Sequence, residues 1–278
     1  MHKIIKNENG FEYIEVKNSA AKAKIALQGA HIFEYTRQDK NNLLWLSEKS
    51  VFEQGVAIRG GIPLCWPRFG SLDESLQQHG FARVSMFKLI NVNELNEFST
   101  EVLFELRDTK ESRALWNHQF ILEVKMVISQ TLSISMKTKN LDEKDFMITQ
   151  AFHTYFSISN IQNISIKGLE NKFYFDTLLD DKHKEDQAIK VEKEIDRVYI
   201  DTDDEVFLID KDKNIKLHTL GSASTVVWNP WIEKSAKMSY MSKNAYKEFV
   251  CIESANAFDD FVMVKSKKTH TLSLTISF

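Results

Sequence analysis

The chain has 278 residues, 43% of them apolar and 27% charged, and 36 Lys and Arg against 39 Asp and Glu leave a formal charge of -3. Nine Gly and three Pro exclude collagen-like, proline-linker and glycine-rich low-complexity chains, while 19 Phe and 5 Trp supply material for a large core. Near-neutral charge gives no general attraction for nucleic acid or an anionic membrane, and no run approaches the roughly 18 apolar residues that span a bilayer. Met1–Tyr13 lacks the apolar segment of a secretory leader. The expectation is a cytoplasmic protein with no nucleic-acid or membrane partner. Two cysteines, Cys65 and Cys251, are too few for a disulfide framework and suit a reducing compartment as small buried hydrophobes.

Period-2 alternation predicts strands along the chain. Thr100, Val102, Phe104 and Leu106 share one face, followed by Phe120, Leu122, Val124, Met126 and Ile128, and then Leu132, Ile134 and Met136. Shorter runs rich in β-branched or aromatic residues follow at Val206–Ile209, Thr225–Trp228, Phe249–Ile252 and Phe261–Val264. Leu272, Leu274, Ile276 and Phe278 close the series. Between them only short helices fit, the best placed around Lys234–Tyr246, with Ala236, Tyr240 and Met241 on one face. In the acidic, lysine-laced stretch Asp176–Asp212 most of the charges read as a solvated face or exposed connections. Many short strands without βαβ alternation predict an all-β protein, a large antiparallel β-sandwich with a few short helices. With no linker and no repeat, residues 1–278 read as one domain.

Three segments depart from a plain sheet. Arg59–Gly70 (RGGIPLCWPRFG) packs three glycines, two prolines and two arginines into twelve residues. Gly60 and Gly61 permit positive φ or close backbone approach, and Pro63 and Pro67 stiffen a loop able to fix Arg59 and Arg68 around an anion. The plain alternative is a rigid sheet corner with its arginines in solvent. Gln77–Arg83 (QQHGFAR) offers His79 and Arg83, and two guanidinium forks from neighbouring loops suit a phosphorylated ligand. The alternative for Arg83 is a surface salt bridge.

The third departure is a pair of polar residues inside apolar strands, His153 in QAFHTYFSIS and Glu253 in FVCIESANA. Alternation sets His153 with Ala151 and Tyr155, away from Phe152 and Phe156, and Glu253 with Cys251, away from Val250 and Ile252. A carboxylate near apolar walls has its pKa raised towards neutrality, and an imidazole titrates there already, so the two together suit general acid and base chemistry. Taken singly, each has an ordinary structural reading. Trp228–Trp231 (WNPW) fits either a stacking platform for a sugar ring or a packed strand end. The eight histidines show no H-E-x-x-H, the cysteines no paired C-x-x-C, and no G-x-S-x-G elbow is present, so no metal site and no serine nucleophile is expected.

In chain order, RGGIPLCWPRFG, QQHGFAR, FHTYF, DRVY, WNPW and CIESAN together resemble the D-hexose-6-phosphate mutarotases, also called glucose-6-phosphate 1-epimerases, of the galactose-mutarotase-like group. The resemblance runs from about Ile25 to the carboxyl terminus and implies that group's large antiparallel supersandwich. It implies that His153 and Glu253 are the catalytic pair, that Arg59 and Arg83 hold the sugar phosphate, and that Asp196 contacts sugar hydroxyls. Gln78 and His79 are further candidate substrate contacts, with Arg68 behind them. Ser254 follows Glu253 where many relatives carry proline, and the Asp176–Asp204 stretch matches only at Asp196–Tyr199. The implied activity interconverts the α and β anomers of a hexose 6-phosphate by ring opening and reclosure, in a monomer, without cofactor. Two other readings stay open: a non-catalytic sugar-phosphate sensor, and a mutarotase for unphosphorylated aldoses.

Overall fold

The computed structural model describes residues 1–38, 40, 42–70, 77–211 and 213–278. Two eight-stranded sheets dominate it. One runs, from edge to edge, through Ile164–Lys167, Glu205–Asp210, Lys213–Leu220, Thr269–Ser277, Leu132–Asn140, Phe120–Ile128, Ser99–Arg107 and Lys88–Asn96. The other runs through Asp181–Lys184, Phe173–Asp176, Ile195–Ile200, Ser224–Asn229, Phe249–Asn256, Gln150–Phe152 and Leu64–Cys65, with Tyr155–Ser157 also paired to Phe249–Asn256. Neighbouring strands in both are antiparallel.

The alternating patterns explain how the sheets pack. Val102, Phe104, Phe120, Leu122, Val124 and Met126 of the first sheet share one buried cluster with Phe152, Phe156, Val227, Val250 and Ile252 of the second. That is the face-to-face sandwich predicted from periodicity. A four-stranded sheet, His2–Lys6, Glu12–Lys17, Ala21–Ala26 and His31–Arg37, packs Ile14, Val16, Ile25 and Ile32 against the same core. Asn18 ties it to the first large sheet by donating to the Ile128 carbonyl at 2.8 Å.

Two sequence expectations, the helix bounds and the placing of Phe278, are corrected. The helix placed at Lys234–Tyr246 begins earlier, at Trp231, and ends at Lys237, with a separate single 3-10 turn at Ala245–Lys247. The side chain of Asn229 sets its start by accepting the Trp231 N–H at 2.9 Å. Asp176–Asp212 keeps most of its charges in solvent, as expected, and also holds the strands Asp181–Lys184, Ile195–Ile200 and Glu205–Asp210, although Asp212 itself lies outside the described residues. Many of its charges are exposed, but Asp176 and Asp210 are buried. Asp176 caps a turn by accepting the Leu178 N–H, and Asp210 accepts from the Ser159 N–H. Phe278 leaves the apolar face of its strand, is 45% exposed, and stacks under the Arg37 guanidinium.

Trp66 pins the Arg59–Gly70 loop to the interior. Its ring is fully buried against Phe81, Trp116 and Phe120. Its Nε1–H donates to Thr138 Oγ1 at 2.9 Å, a bond between two groups with no access to water. Removing one partner leaves the other desolvated and unpaired, which costs about 1–3 kcal/mol. Thr138→Val is therefore expected to lower stability by about 1–3 kcal/mol. In urea unfolding this appears as a lower midpoint with an unchanged slope.

Candidate active site

Strand register brings the two ionisable groups together. Ala151 pairs with Ala255 and Phe152 with Ser254, and beyond a two-residue break Tyr155 pairs with Cys251 and Phe156 with Val250. The register is the same on both sides of the break, so His153 falls opposite Glu253. Within the break the His153 N–H donates to the Pro63 carbonyl at 3.0 Å, and the Ile252 N–H reaches the Thr154 carbonyl at 3.3 Å. His153 Nδ1 lies 3.4 Å from Glu253 Oε1. The two residues are only 8% and 2% exposed, and neither His153 Nδ1 nor Glu253 Oε2 has a hydrogen-bond partner among the described residues. An aromatic wall fixes the imidazole: Tyr155 stacks on it with planes 7° apart, and Trp228 meets it edge to face.

These side chains form the floor of a cavity of about 530 Å³ over one face of the second large sheet. Alternation supplies the rest of the floor. Asp196 and Val198, Val226 and Trp228, and Tyr155 beside His153 all point into it, while their neighbours Ile195, Val227 and Phe156 point into the main core.

Arg59, Arg83, His79 and Gln78 line the same cavity from two loops. Gly60 and Gly61, at φ +117° and +66°, let the first loop pass against the Trp45 and Ile32 carbonyls, where a Cβ would collide. His31 Nε2–H donates to the Gly60 carbonyl at 2.8 Å; burial pushes the imidazole down to about 4, so it stays neutral. The second loop hangs from Trp66, whose carbonyl accepts the N–H groups of both Phe81 and Ala82 at 3.1 Å. Arg83 donates to the Gln78 carbonyl at 2.8 Å, and the Nε groups of Arg59 and Arg83 are buried without a hydrogen-bond partner among the described residues. These arginines are thus not the solvent-facing corner or surface salt bridge that spacing left open. His79 Nδ1 accepts the Gly70 N–H at 3.3 Å, leaving Nε2 as the donor. Burial, and then Arg83 and Arg59, push this imidazole down to about 3.

Burial dominates the electrostatics of the floor. It holds the Glu253 carboxyl well above the ordinary carboxylate range, with the facing Asp196 adding to the effect. It holds the His153 imidazole well below its ordinary value, and His79, Arg83 and Arg59 push the same way. Asp196 is raised by burial, with Lys234 opposing. The cavity is therefore polarised, with guanidinium groups on one wall and Asp196 with Lys234 on another.

All seven sequence-predicted site residues, Gln78, His79, Arg59, Arg83, His153, Asp196 and Glu253, line this one cavity, and Arg68 does not. The WNPW segment divides: Trp228 lines the cavity, whereas Trp231 turns away and packs on Tyr246. Sequence reasoning missed Lys234, whose Nζ is 2.9 Å from Glu194 Oε1, and Phe69, Phe175 and Phe258 on the walls. The clearest signal passed over was Tyr155, already placed on the same face as His153.

The family model described as aldose 1-epimerase matches residues 12–277. A protein of Escherichia coli (strain K12) with the provisional name glucose-6-phosphate 1-epimerase is 33% identical over 264 residues, covering 93% of this chain and 88% of its own. A similarly named protein of Cenchrus ciliaris is 32% identical over 267 residues, covering 91% of this chain and 80% of its own. The crystal structure of a provisionally named mutarotase from Salmonella typhimurium superposes with a TM-score of 0.90 at 29% identity, covering 99% of this chain and 96% of that one. A galactose mutarotase related enzyme from Lactobacillus acidophilus shares the fold, with a TM-score of 0.75 at 15% identity. On a match over nearly its whole length, the chain belongs to the aldose 1-epimerase family.

Proposed function

We propose that this epimerase interconverts the α and β anomers of a hexose 6-phosphate, with His153 and Glu253 moving the protons and Arg59 and Arg83 holding the phosphate. The observation that carries the reading is the 3.4 Å pair of buried, unsatisfied His153 and Glu253 groups on the floor of a cavity also lined by two guanidinium groups. The names of the Escherichia coli and Cenchrus ciliaris relatives support the phosphorylated substrate. Two buried free thiols suit a reducing cytoplasm.

Ring opening needs two proton transfers. Glu253 as carboxylate takes the proton of the anomeric hydroxyl, the bond between C1 and the ring oxygen breaks, and imidazolium His153 protonates that oxygen as C1 becomes an aldehyde. Rotation about C1–C2 presents the other carbonyl face, and reclosure runs both transfers backwards. Asp196 accepts from sugar hydroxyls, Gln78 and the His79 Nε2–H contact the sugar, and Trp228 supplies an apolar face for the ring.

The pair works with one proton in total. Burial favours a carboxylic acid beside a neutral imidazole, which carries the same proton count as carboxylate and imidazolium. A phosphate dianion between Arg59 and Arg83 cancels the charge that depresses His153, and so favours the imidazolium that the reaction requires. Substrate binding thereby arms the acid.

Four outcomes are expected. In NMR exchange spectroscopy on glucose 6-phosphate, His153→Asn and Glu253→Gln each slow anomer exchange by about 10²–10⁴-fold while leaving binding largely intact; a wild-type protein that left exchange at its spontaneous rate would refute the reading and favour a sensor. Arg59→Ala cuts the preference for glucose 6-phosphate over glucose by about 10–100-fold, the worth of a charge-assisted hydrogen bond; an unchanged preference would instead favour an unphosphorylated substrate. The rate is bell-shaped in pH, falling at high pH as the shared proton leaves and at low pH as a second one binds. In the same titrations the His153 imidazole, followed by NMR, shifts to higher pKa when a 1-deoxyhexose 6-phosphate binds; a downward shift would contradict the arming step.

A further inference from the structure

We propose that the cavity floor is also a site for a borderline-soft divalent cation of the Zn²⁺ type, held by His153, Cys251 and Glu253, and that the bound cation inhibits the enzyme. Binding stands on the geometry alone, whereas inhibition rests on the roles given above to His153 and Glu253. One nitrogen, one sulfur and one carboxylate oxygen from these three buried residues all lie within 4.8 Å of one another. Two of the three residues, only 8% and 2% exposed, present polar atoms without a hydrogen-bond partner among the described residues, His153 Nδ1 and Glu253 Oε2.

The spacing fits a tetrahedral ion. Bonds of about 2.0–2.2 Å to nitrogen and oxygen set those two ligand atoms about 3.3–3.5 Å apart, and His153 Nδ1 is 3.4 Å from Glu253 Oε1. A sulfur bound at about 2.3 Å stands about 3.6 Å from either, and the Cys251 sulfur lies within 4.8 Å of both. Charge fits as well: a dication with a thiolate, a carboxylate and a neutral imidazole sums to zero, which suits buried ligand groups. One sulfur, one nitrogen and one oxygen select zinc-type ions over Mg²⁺ and Ca²⁺, which take oxygen ligands in larger numbers. The fourth position opens on the cavity, since His153 and Glu253 line it.

No helix-spaced motif announced this set because it is built on strands. Cys251 and Glu253 share a face two residues apart, and His153 joins them across the ladder. A cation there is held by the two side chains to which the proton transfers are assigned, and so competes with those transfers. Cys251 takes no part in the proton transfers and lies under the floor, fully buried, so it can be changed without touching the chemistry.

The test is a titration of the whole protein with Co²⁺ as a spectroscopic stand-in for Zn²⁺, run beside Zn²⁺ inhibition of glucose 6-phosphate anomer exchange. The expected result is one equivalent of Co²⁺ with a near-ultraviolet sulfur-to-cobalt band that Zn²⁺ displaces, and inhibition by Zn²⁺ but not Mg²⁺ that a chelator reverses. Cys251→Ser, or Cys251→Ala should the serine variant misfold, keeps turnover, loses the band, and needs more Zn²⁺ for inhibition. The increase is at least the roughly 10–100-fold that loss of an outer-shell partner already costs; Cys65→Ser changes neither readout. Absence of a one-equivalent sulfur band in the wild type, a band lost with Cys65 instead, or equal Zn²⁺ sensitivity without Cys251 would each overturn the proposal. Should the protein prove inactive on glucose 6-phosphate, the Co²⁺ titration still decides binding, so the two readings fail separately.

Discussion

An imidazole and a carboxylate face one another on adjoining strands, almost shut off from water, and the rest of the molecule is arranged around keeping them there. Antiparallel pairing of Gln150–Phe152 and Tyr155–Ser157 with Phe249–Asn256 sets which residues oppose. The far face of the same strands carries Phe152, Phe156, Val250 and Ile252, all fully buried in the sandwich core. Slipping the register by one residue would send those four into the cavity and the ionisable pair into the core, so the packing of the interior enforces the geometry of the site. Among the described residues, His153 Nδ1 and Glu253 Oε2 have no hydrogen-bond partner, a state that burial would normally penalise and that a polar ligand relieves.

Strands and loops divide the labour. The floor, with His153, Glu253, Asp196 and Trp228, belongs to the sheet, whereas the guanidinium wall is carried by loops. Those loops are not free-hanging. Trp66 sits in the core, and its carbonyl holds Phe81 and Ala82, one residue from Arg83. The Gly61 N–H donates to the Trp45 carbonyl at 2.7 Å, the Trp45 N–H to the Tyr155 carbonyl, and the Tyr155 N–H to the Gly61 carbonyl, a closed triangle two residues from both Arg59 and His153. The cationic wall is therefore placed relative to the floor by backbone bonds.

Much of this was legible in the amino-acid order. Alternation gave the strands, their core faces and the side to which His153 and Glu253 point, because one face of each strand is apolar and period 2 leaves no ambiguity. It gave no pairing partner, and so it could not bring two residues a hundred positions apart to 3.4 Å; the ordered motifs supplied that expectation. The helix at Trp231–Lys237 was misplaced because its start is set by the Asn229 side chain and its face by Tyr246, neither of which shows in a periodicity. The charges of Asp176–Asp212 read as mostly solvated, as they are, but their density masks an edge of the sheet whose buried members are few. Lys234 carried no signal at all, since a lysine on a short helix has many ordinary uses.

The triangle of backbone bonds joining Gly61, Trp45 and Tyr155 has a consequence for how such a cavity diversifies. Because main-chain atoms set the distance from floor to wall, the side chains at positions 59 and 83 are interchangeable parts on a fixed frame. On the function proposed above, a lineage can exchange them to accept a different substituent at the far end of the sugar while inheriting His153 and Glu253 intact.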